Sequence, residues 1–275
     1  MDIWHGVSAV VLDMDGVVFI GRQLRPGIQE LVTQLERTET AYHILTNASS
    51  SSRQEMAADL GSMGLHIDPS RITNSSELVA HYIRERTGAR RAFTLGGGSG
   101  LSQALQEVEI EQRDLATLPM DEVNTIARDN APTPCPLILG WTRDYNYELA
   151  TKVLRLDRAI SDVYATGVDR HYADDTGNLP AVAWLSGSVD ALLGRTTINP
   201  AKPHPYAMEY VLHRLGRPAS ETIVIGDSTS DILAGNRAGC KTVLLLGGAT
   251  PADALVGLTE DRAPWLVIHE LTDLL

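Results

Sequence analysis

The sequence contains few cysteines, no long apolar run and no basic stripe. Its two cysteines, Cys135 and Cys240, lie far apart without metal-site spacing, so we predict two buried, reduced thiols and no disulfide framework. No run approaches the roughly 18 apolar residues of a membrane span, which argues against a transmembrane helix. The N-terminal residues show no basic stretch followed by an apolar one, so we predict no signal peptide and a cytoplasmic protein.

The charge and composition narrow the choice of partner. A formal net charge of −12 argues against nucleic acid, because phosphate backbones are bound by basic stripes and the arginines at 84–91 form only short, interrupted clusters. The eight histidines form no pair with metal-ligand spacing, so zinc is not expected. With 275 residues, of which 43% are hydrophobic and 21% charged, the chain has a globular composition and the length for two domains.

Two carboxylates follow the first predicted strand. The apolar run at 7–12 is followed by Asp13-Met14-Asp15-Gly16-Val17, at the edge where open α/β sheets bind ligands. Neighbouring carboxylates repel each other unless a cation lies between them or one keeps its proton. We therefore predict Asp13 as a nucleophile bound to Mg²⁺ and Asp15 as a general acid. An acidic surface turn is the alternative for this motif taken alone.

Two further segments supply groups suited to a phosphate. Thr46 and Asn47 follow a second apolar run at 41–45 and precede a predicted helix, so their hydroxyl and amide suit phosphoryl oxygens, with an ordinary helix cap as the alternative. Lys202 is followed by Pro203, which restricts the lysine to an extended backbone and fixes the direction of its ammonium. Lys202 is predicted to neutralise the phosphate and the nucleophilic carboxylate.

A last carboxylate pair follows another apolar run. Asp227 comes after the predicted strand at 222–226, and Asp231 lies one turn into the helix that begins near Ser230. Oxygen-rich sites of this kind bind hard divalent cations. We predict that Asp13, the backbone carbonyl of Asp15 and Asp227 hold Mg²⁺. Asp231 is predicted to hold a metal-bound water or to orient Lys202, and a capped surface helix is the alternative.

The order of these motifs resembles the haloacid dehalogenase-like superfamily, and within it the NagD and p-nitrophenylphosphatase group. The resemblance implies an α/β fold with a Rossmann-like parallel-sheet core, an inserted α/β cap domain of the C2 type, and hydrolysis through an aspartyl-phosphate. The residues that carry it are Asp13-Met14-Asp15-Gly16-Val17, Leu45-Thr46-Asn47-Ala48-Ser49, Gly140-Trp141-Thr142-Arg143-Asp144-Tyr145-Asn146-Tyr147, Ala165-Thr166-Gly167-Val168-Asp169, Asn199-Pro200-Ala201-Lys202-Pro203 and Gly226-Asp227-Ser228-Thr229-Ser230-Asp231.

The alternation of strand and helix patterns predicts a core at 1–87 and 184–275 and a cap at 88–183. Asp169 and His171 lie in the segment that resembles the group's substrate-facing cap loop, and Trp184 makes the return to the core bulkier than is usual in the group. These three are predicted to contact substrate. The acidic stretch at 107–114 is predicted to be a solvated face, and the aromatic residues of the second half of the cap are predicted to be mostly core.

We therefore predict a Mg²⁺-dependent phosphomonoesterase that acts on a small phosphorylated metabolite such as a sugar or polyol phosphate. A phosphotransferase or mutase of the same superfamily would use the same aspartates, and a receiver-like phosphoacceptor signalling protein also combines Asp, Thr and Lys. A metal-independent dehalogenase is disfavoured, because Asp15 and Asp227 would have no task in it. No nucleic acid and no membrane are expected as partners, and a homodimer is left open.

Overall fold

The computed structural model describes residues 3–129, 133–174, 177–250 and 259–275. Over these residues the strands are β1 Ala9–Leu12, β2 Phe19–Ile20, β3 Gln23–Leu24, β4 Ala41–Thr46, β5 Ile72–Asn74, β6 Arg91–Leu95, β7 Glu111–Asp114, β8 Cys135–Leu139, β9 Ile160–Ala165, β10 His171–Asp174, β11 Gly177–Pro180, β12 Thr222–Gly226, β13 Lys241–Leu245 and β14 Leu266–Ile268. The helices are α1 Ile28–Arg37, α2 Arg53–Ser62, α3 Ser75–Thr87, α4 Gly98–Glu107, α5 Met120–Arg128, α6 Tyr147–Arg155, α7 Val182–Leu193, α8 Pro205–Leu215 and α9 Thr229–Ala238.

The chain divides into two compact units. Unit 1 comprises Met1–Thr46, Arg53–Thr73 and Lys202–Leu275, and unit 2 comprises Asn47–Ser52 and Asn74–Ala201. The chain passes into unit 2 after Thr46 and again after Thr73, and it returns to unit 1 at Arg53 and at Lys202. Thr46 and Lys202, two of the predicted site residues, are the terminal residues of their unit 1 segments.

Unit 1 is built on a six-stranded sheet in the order β14-β13-β12-β1-β4-β5. The central strand β1 is buried along its whole length and pairs in parallel with β12 on one side and β4 on the other. Helix α8 packs on β4, and α9 packs on β12 and β13. The continuous apolar character of β1 therefore reflects burial on both faces of a parallel sheet. Because the three strands are parallel, their carboxyl ends meet at one edge.

Unit 2 contains a second parallel sheet, in the order β7-β6-β8-β9. Successive residues of β8 enter two separate hydrophobic clusters, because side chains alternate between the faces of a strand. Leu137 and Leu139 join residues of α5, α6 and α7 in one cluster. Ile138 joins residues of α3 and α4 in the other. Unit 2 is thus an α/β domain with a buried layer on each face of its sheet.

The bounds of the compact units differ from the predicted domain boundaries at 87/88 and 183/184. Helix α3, assigned to the core from the alternation of patterns, buries Val79, Ala80 and Ile83 in the same cluster as Leu101 of α4, and is part of unit 2. Helix α7, which begins at Val182, contributes to the other cluster of unit 2. The alternation of strand and helix patterns along the chain carries no information on which sheet a helix covers.

The structure also refines the predictions for the acidic stretch at 107–114, for the aromatic residues of the cap and for the cysteines. Part of the acidic stretch at 107–114 forms the edge strand β7, where charged side chains are common because they discourage pairing with another chain. Tyr147 is 90% exposed rather than part of the core, since α6 buries Leu149 and Val153 on its opposite side. Both cysteines are free thiols, Cys240 buried and Cys135 half-buried. The side chain of Tyr172 lies outside the described residues.

Among the residues that the structure describes, no helix combines the length and the apolar composition that crossing a bilayer requires.

His43 makes the stability of unit 1 dependent on pH. Its Nε2 lies 2.9 Å from Thr73 Oγ1 in the interior, and burial, with the positive charges of Arg214 and Arg71, lowers the pKa of His43 from 6.5 to about 3. Between these pH values the unfolded chain binds the proton and the folded chain does not, so the free energy of unfolding should fall as the pH decreases from 6.5. The slope from this residue should reach about 1.4 kcal/mol per pH unit.

Urea unfolding between pH 7 and pH 5 measures this slope. His43→Gln should lack it, whereas His66→Gln, which replaces an exposed histidine of the same unit, should keep it. Buried carboxylates whose pKa is raised contribute slopes of the opposite sign, but these are common to all three proteins and cancel in the comparison. Equal slopes in the wild type and His43→Gln would contradict the prediction.

Candidate active site

The predicted site residues of unit 1 meet at the carboxyl ends of three adjacent strands. In the sheet register, Leu12 at the end of β1 lies opposite Ile44 of β4 and Ile225 of β12. Asp13 continues β1 by donating its N–H to the Ile225 carbonyl at 2.9 Å. Asp13, Thr46 and Asp227 therefore share one edge, and all three are buried. A parallel arrangement is sufficient to bring them together from distant parts of the chain.

Lys202 connects two of the carboxylates. Its Nζ donates to Asp13 Oδ1 at 2.5 Å, to Asp231 Oδ1 at 2.6 Å and to the Leu45 carbonyl at 2.8 Å, and the residue is only 3% exposed. Burial by itself lowers the pKa of Lys202, but the adjacent Asp13 and Asp231 carboxylates raise it by more, so the net shift is upward. The ammonium therefore stays charged, and it balances negative charge inside the protein.

Asp231 is held from both sides. While Oδ1 accepts from Lys202, Oδ2 accepts from the N–H of Ser228 at 3.1 Å and from its hydroxyl at 2.5 Å. Ser228 and Asp231 form the capping box that starts α9. A side chain at Gly226 would overlap Asp231, so the glycine before Asp227 allows this approach. Asp231 thus contacts Lys202 as the predicted orienting role requires, and this role and the role toward a metal-bound water remain predictions.

Asp227 is enclosed by backbone. Its Oδ2 accepts from the N–H of Ala249 at 2.6 Å, and its carbonyl accepts from the N–H of Thr250 at 3.0 Å. A Cβ on Gly16 or on Gly248 would overlap the Asp227 carboxylate, and Gly16 also has a positive φ of 81°. Gly16 therefore lets the backbone pass close to the Asp227 carboxylate.

Three carboxylates converge beside Lys202, whose ammonium contacts two of them. One oxygen each from Asp13, Asp227 and Asp231 lies within 4.8 Å of the others. Burial, followed by the charge of Asp231, raises the pKa of Asp13 well above its ordinary value, although Lys202 opposes this. Burial raises the pKa of Asp227 to about 6 against the hydrogen bond from Ala249. Carboxylate oxygens are the ligands that Mg²⁺ and similar hard cations prefer, so this cluster fits a divalent cation.

Asp15 stands apart from that cluster. Its side chain is exposed, and its Oδ2 accepts a long hydrogen bond of 3.5 Å from Thr46 Oγ1. Desolvation by neighbouring protein atoms raises the pKa of Asp15, while Lys202 and the Thr46 hydroxyl lower it by less. The direction is the one a proton donor requires. The Asp15 carboxylate does not belong to the group of carboxylates formed by Asp13, Asp227 and Asp231. The predicted metal ligand from Asp15 is therefore its backbone carbonyl.

The other predicted contacts belong to unit 2. Asn47 is half-buried and follows Thr46 directly in the chain. The Asp169 carbonyl accepts from the N–H of Ala183 at 3.1 Å, which ties the segment containing Asp169 and His171 to the start of α7. Trp184, in the first turn of α7, is 39% exposed and lies edge-on to another aromatic ring. Asp169 and His171 are exposed, so these three residues occupy one surface region of unit 2.

The sequence analysis did not predict some of the groups that contact the site residues. The Leu45 carbonyl and the Ala249 N–H are backbone groups, which any residue type supplies. The pair Gly247-Gly248, one residue beyond the end of the apolar strand β13, was an available indication, because glycines at such an edge allow close approach. Ser228 and Asp231 also match the S-x-x-D pattern of a capping box.

Two families of known proteins match this chain, and each match contains part of the predicted site. The family described as haloacid dehalogenase-like hydrolase matches residues 10–111, which contain Asp13, Asp15 and Thr46. The family described as HAD-hydrolase-like matches residues 200–274, which contain Lys202 and the Asp227 motif. The chain belongs to the haloacid dehalogenase-like hydrolases. The predicted site residues of unit 1 thus fall within the matched segments.

Within these hydrolases the chain is similar to several phosphatases. It is 28% identical over 263 residues to the dihydroxyacetone phosphatase of Corynebacterium glutamicum (strain R), covering 95% of this chain and 88% of that protein. It is 26% identical over 248 residues to the ribonucleotide monophosphatase NagD of Escherichia coli K12, covering 90% of each. The structure of NagD superposes with a TM-score of 0.82 at 24% identity, over 97% of this chain and 98% of NagD.

A further solved structure shares the fold over the whole chain. The glycerol phosphate phosphatase Rv1692 from Mycobacterium tuberculosis, in complex with calcium, has a TM-score of 0.83 at 22% identity and is covered to 76%. The predicted NagD-like group, the α/β fold with a parallel-sheet core and a cap-like second domain, and the enzyme class of phosphatase are confirmed. The tasks of individual residues remain predictions.

Proposed function

We propose that this haloacid dehalogenase-like phosphatase is a Mg²⁺-dependent phosphomonoesterase that acts on a small phosphorylated metabolite through an aspartyl-phosphate at Asp13. The observation that supports it most is the buried Lys202, which joins Asp13 to Asp231 beside Asp227. Such an arrangement keeps the nucleophilic carboxylate, the ammonium of Lys202 and two further carboxylates at one strand edge. Asp13 and Asp227, with the Asp15 carbonyl, would hold the metal, which when bound supplies positive charge to the carboxylates and the phosphoryl oxygens.

The chemistry proceeds in two displacements. An oxygen of Asp13 forms a bond to phosphorus while the ester P–O bond breaks, and Asp15 gives its proton to the leaving alcohol. Water then attacks the aspartyl-phosphate, Asp15 takes the proton of that water, and the Asp13 carboxylate is restored as inorganic phosphate leaves. Thr46 and Asn47 bind phosphoryl oxygens, and Lys202 stabilises the charge that develops on them.

The proposed substrate is a sugar or polyol phosphate. The dihydroxyacetone phosphatase and the glycerol phosphate phosphatase are named for small polar compounds, which supports a compact substrate for their relative here. One exposed region of unit 2 combines polar groups with an apolar ring. The polar groups belong to Asp169 and His171, and the ring belongs to Trp184. We assign substrate selection to this region, and the phosphate chemistry to unit 1.

The decisive experiment is a screen of the purified protein against a panel of phosphorylated metabolites. Released phosphate is measured with Mg²⁺, and again after the metal is removed by a chelator. Mg²⁺-dependent release from at least one sugar or polyol phosphate is expected. Transfer to an added acceptor without release would indicate the phosphotransferase or mutase, and a long-lived phosphoprotein with slow turnover would indicate the receiver-like alternative. No release from any compound would contradict the proposal.

Asp15→Asn should separate proton donation from the other tasks of the site. The amide cannot protonate a leaving alcohol but keeps the backbone carbonyl, so hydrolysis of alkyl phosphates should fall by roughly 10²- to 10⁴-fold. An aryl phosphate with a good leaving group needs less protonation and should lose much less. The ratio of kcat/KM for the two substrate types measures this, and each type controls for the other. Equal losses on both would remove Asp15 from the acid role.

His171→Ala and Trp184→Ala should reorder the preferences among metabolites. Changed contacts in a binding pocket alter kcat/KM ratios between similar substrates by roughly 10- to 200-fold. The requirement for Mg²⁺ should stay as in the wild type, because these residues lie in unit 2. Tyr147→Ala, which truncates an exposed aromatic residue of the same unit, is the matched control and should leave the order unchanged. A uniform loss on every substrate would show that His171 and Trp184 are structural.

A further inference from the structure

The short segment Asn47–Ser52 is an isolated part of unit 2, placed in the chain between two stretches of unit 1. It directly follows Thr46, and its first residue is the predicted phosphoryl ligand Asn47. Five successive backbone carbonyls of this segment, from Asn47 to Ser51, accept hydrogen bonds from the beginnings of α3 and α4. The segment forms neither helix nor strand. Its carbonyls from Asn47 to Ser51 are nevertheless fixed by these hydrogen bonds.

Two serines at the start of α3 make the contacts nearest to Asn47. The Ser75 hydroxyl lies 2.9 Å from the Asn47 carbonyl and 3.2 Å from the Ala48 carbonyl. The Ser76 hydroxyl donates to the Ser49 carbonyl at 2.8 Å. Both serines have no exposed surface. Buried backbone carbonyls that lose their donors are costly, so these hydroxyls hold in place the peptide planes that follow Asn47.

The start of α4 completes the contact. The N–H of Gly100 donates to the Ser50 carbonyl at 3.2 Å. A Cβ on Gly98 would overlap Ser50, and a Cβ on Gly100 would overlap the carbonyl of Ser49. The glycines therefore let the backbone of α4 lie directly against the segment. The glycine-rich run at 96–100 thus has a structural task within unit 2.

We infer that Ser75 and Ser76 are positioning residues for Asn47. Their hydroxyls fix the backbone of Asn47–Ser52 and with it the direction of the Asn47 amide, so they act on phosphate binding through Asn47. The inference rests on the proposed phosphatase function, in which Asn47 binds a phosphoryl oxygen. Misplacement of such a ligand by about 1 Å can cost roughly 10²-fold in rate. A hydroxyl that touches no substrate should therefore have a measurable catalytic effect.

A double-mutant cycle tests this coupling. Ser75→Ala should lower kcat/KM for p-nitrophenyl phosphate by roughly 10- to 100-fold in the wild-type background. In the Asn47→Ala background the same change should cost less than about twofold, because the ligand it positions is gone. Ser75→Thr keeps a hydroxyl and should retain most of the activity. Thr87→Ala removes a hydroxyl hydrogen bond at the other end of α3 and is the matched control, with activity unchanged.

Ser76→Ala provides a second cycle if Ser75→Ala does not fold, and it should show the same dependence on Asn47 with a smaller loss. Equal losses in both backgrounds, or no loss from folded Ser75→Ala, would overturn the inference. The affinity for inorganic phosphate, measured by calorimetry in the same variants, separates the two proposals. A wild type that binds phosphate without hydrolysing any ester would contradict the proposed function, while the phosphate cycle would still decide the coupling between Ser75 and Asn47.

Discussion

Asp13→Asn is expected to abolish turnover while the protein remains folded. The amide keeps the shape of the side chain but cannot form the aspartyl-phosphate, so the rate of phosphate release should fall by roughly 10³-fold or more. Stability should change little, because the substitution removes the repulsion between Asp13 and Asp231 together with the attraction to Lys202. The free energy of unfolding is expected to change by about 2 kcal/mol or less.

The measurement is a steady-state assay on the best substrate of the wild type, with urea unfolding of the same preparation. Asp59→Asn, which neutralises an exposed carboxylate of unit 1, is the matched control and should retain full activity. Incubation with substrate followed by mass spectrometry should detect a phosphorylated wild type and no phosphorylated Asp13→Asn. Substantial turnover by the folded variant would rule out covalent catalysis at this residue.

Lys202→Met is expected to damage both activity and stability. The ammonium is the shared partner of the buried Asp13 and Asp231 carboxylates, so its removal leaves two buried charges without it. Breaking a buried ion pair in this way costs about 3–5 kcal/mol in the free energy of unfolding. The loss of a charge that stabilises the transition state should lower kcat by roughly 10²- to 10³-fold.

A second substitution separates these two effects. In Lys202→Met/Asp231→Asn one of the unpaired charges is removed, so part of the stability should return while the activity stays low. Lys241→Met is the matched control, since this lysine lies 5.1 Å from the Trp265 ring and is far less buried, and it should cost about 1 kcal/mol or less. If Lys202→Met unfolded at the same urea concentration as the wild type, the buried ion pairs would contribute nothing to stability.

The sequence was sufficient to predict which polar residues lie together at one strand edge of unit 1. Apolar runs that end in polar residues predict buried parallel strands, and parallel strands place their carboxyl ends at one edge. Asp13, Thr46 and Asp227 follow this rule directly, because each is at or just beyond the end of its strand. Helix starts were also predictable, as with α9, since capping depends on residues that are neighbours in the chain.

The geometry within that edge was decided only by the tertiary structure. The pairing of Lys202 with Asp13 and with Asp231 was predicted, but the position from which its ammonium contacts both carboxylates depends on the packing of distant elements. The N–H of Ala249 and the carbonyl of Leu45 belong to the backbone, so no residue type marks them in advance. The assignment of Asn47–Ser52 to unit 2 likewise depends on contacts with residues distant in the chain, which the residue types of the segment do not indicate. Local patterns determine strands, helices and their polar ends, whereas long-range packing determines which of those ends meet.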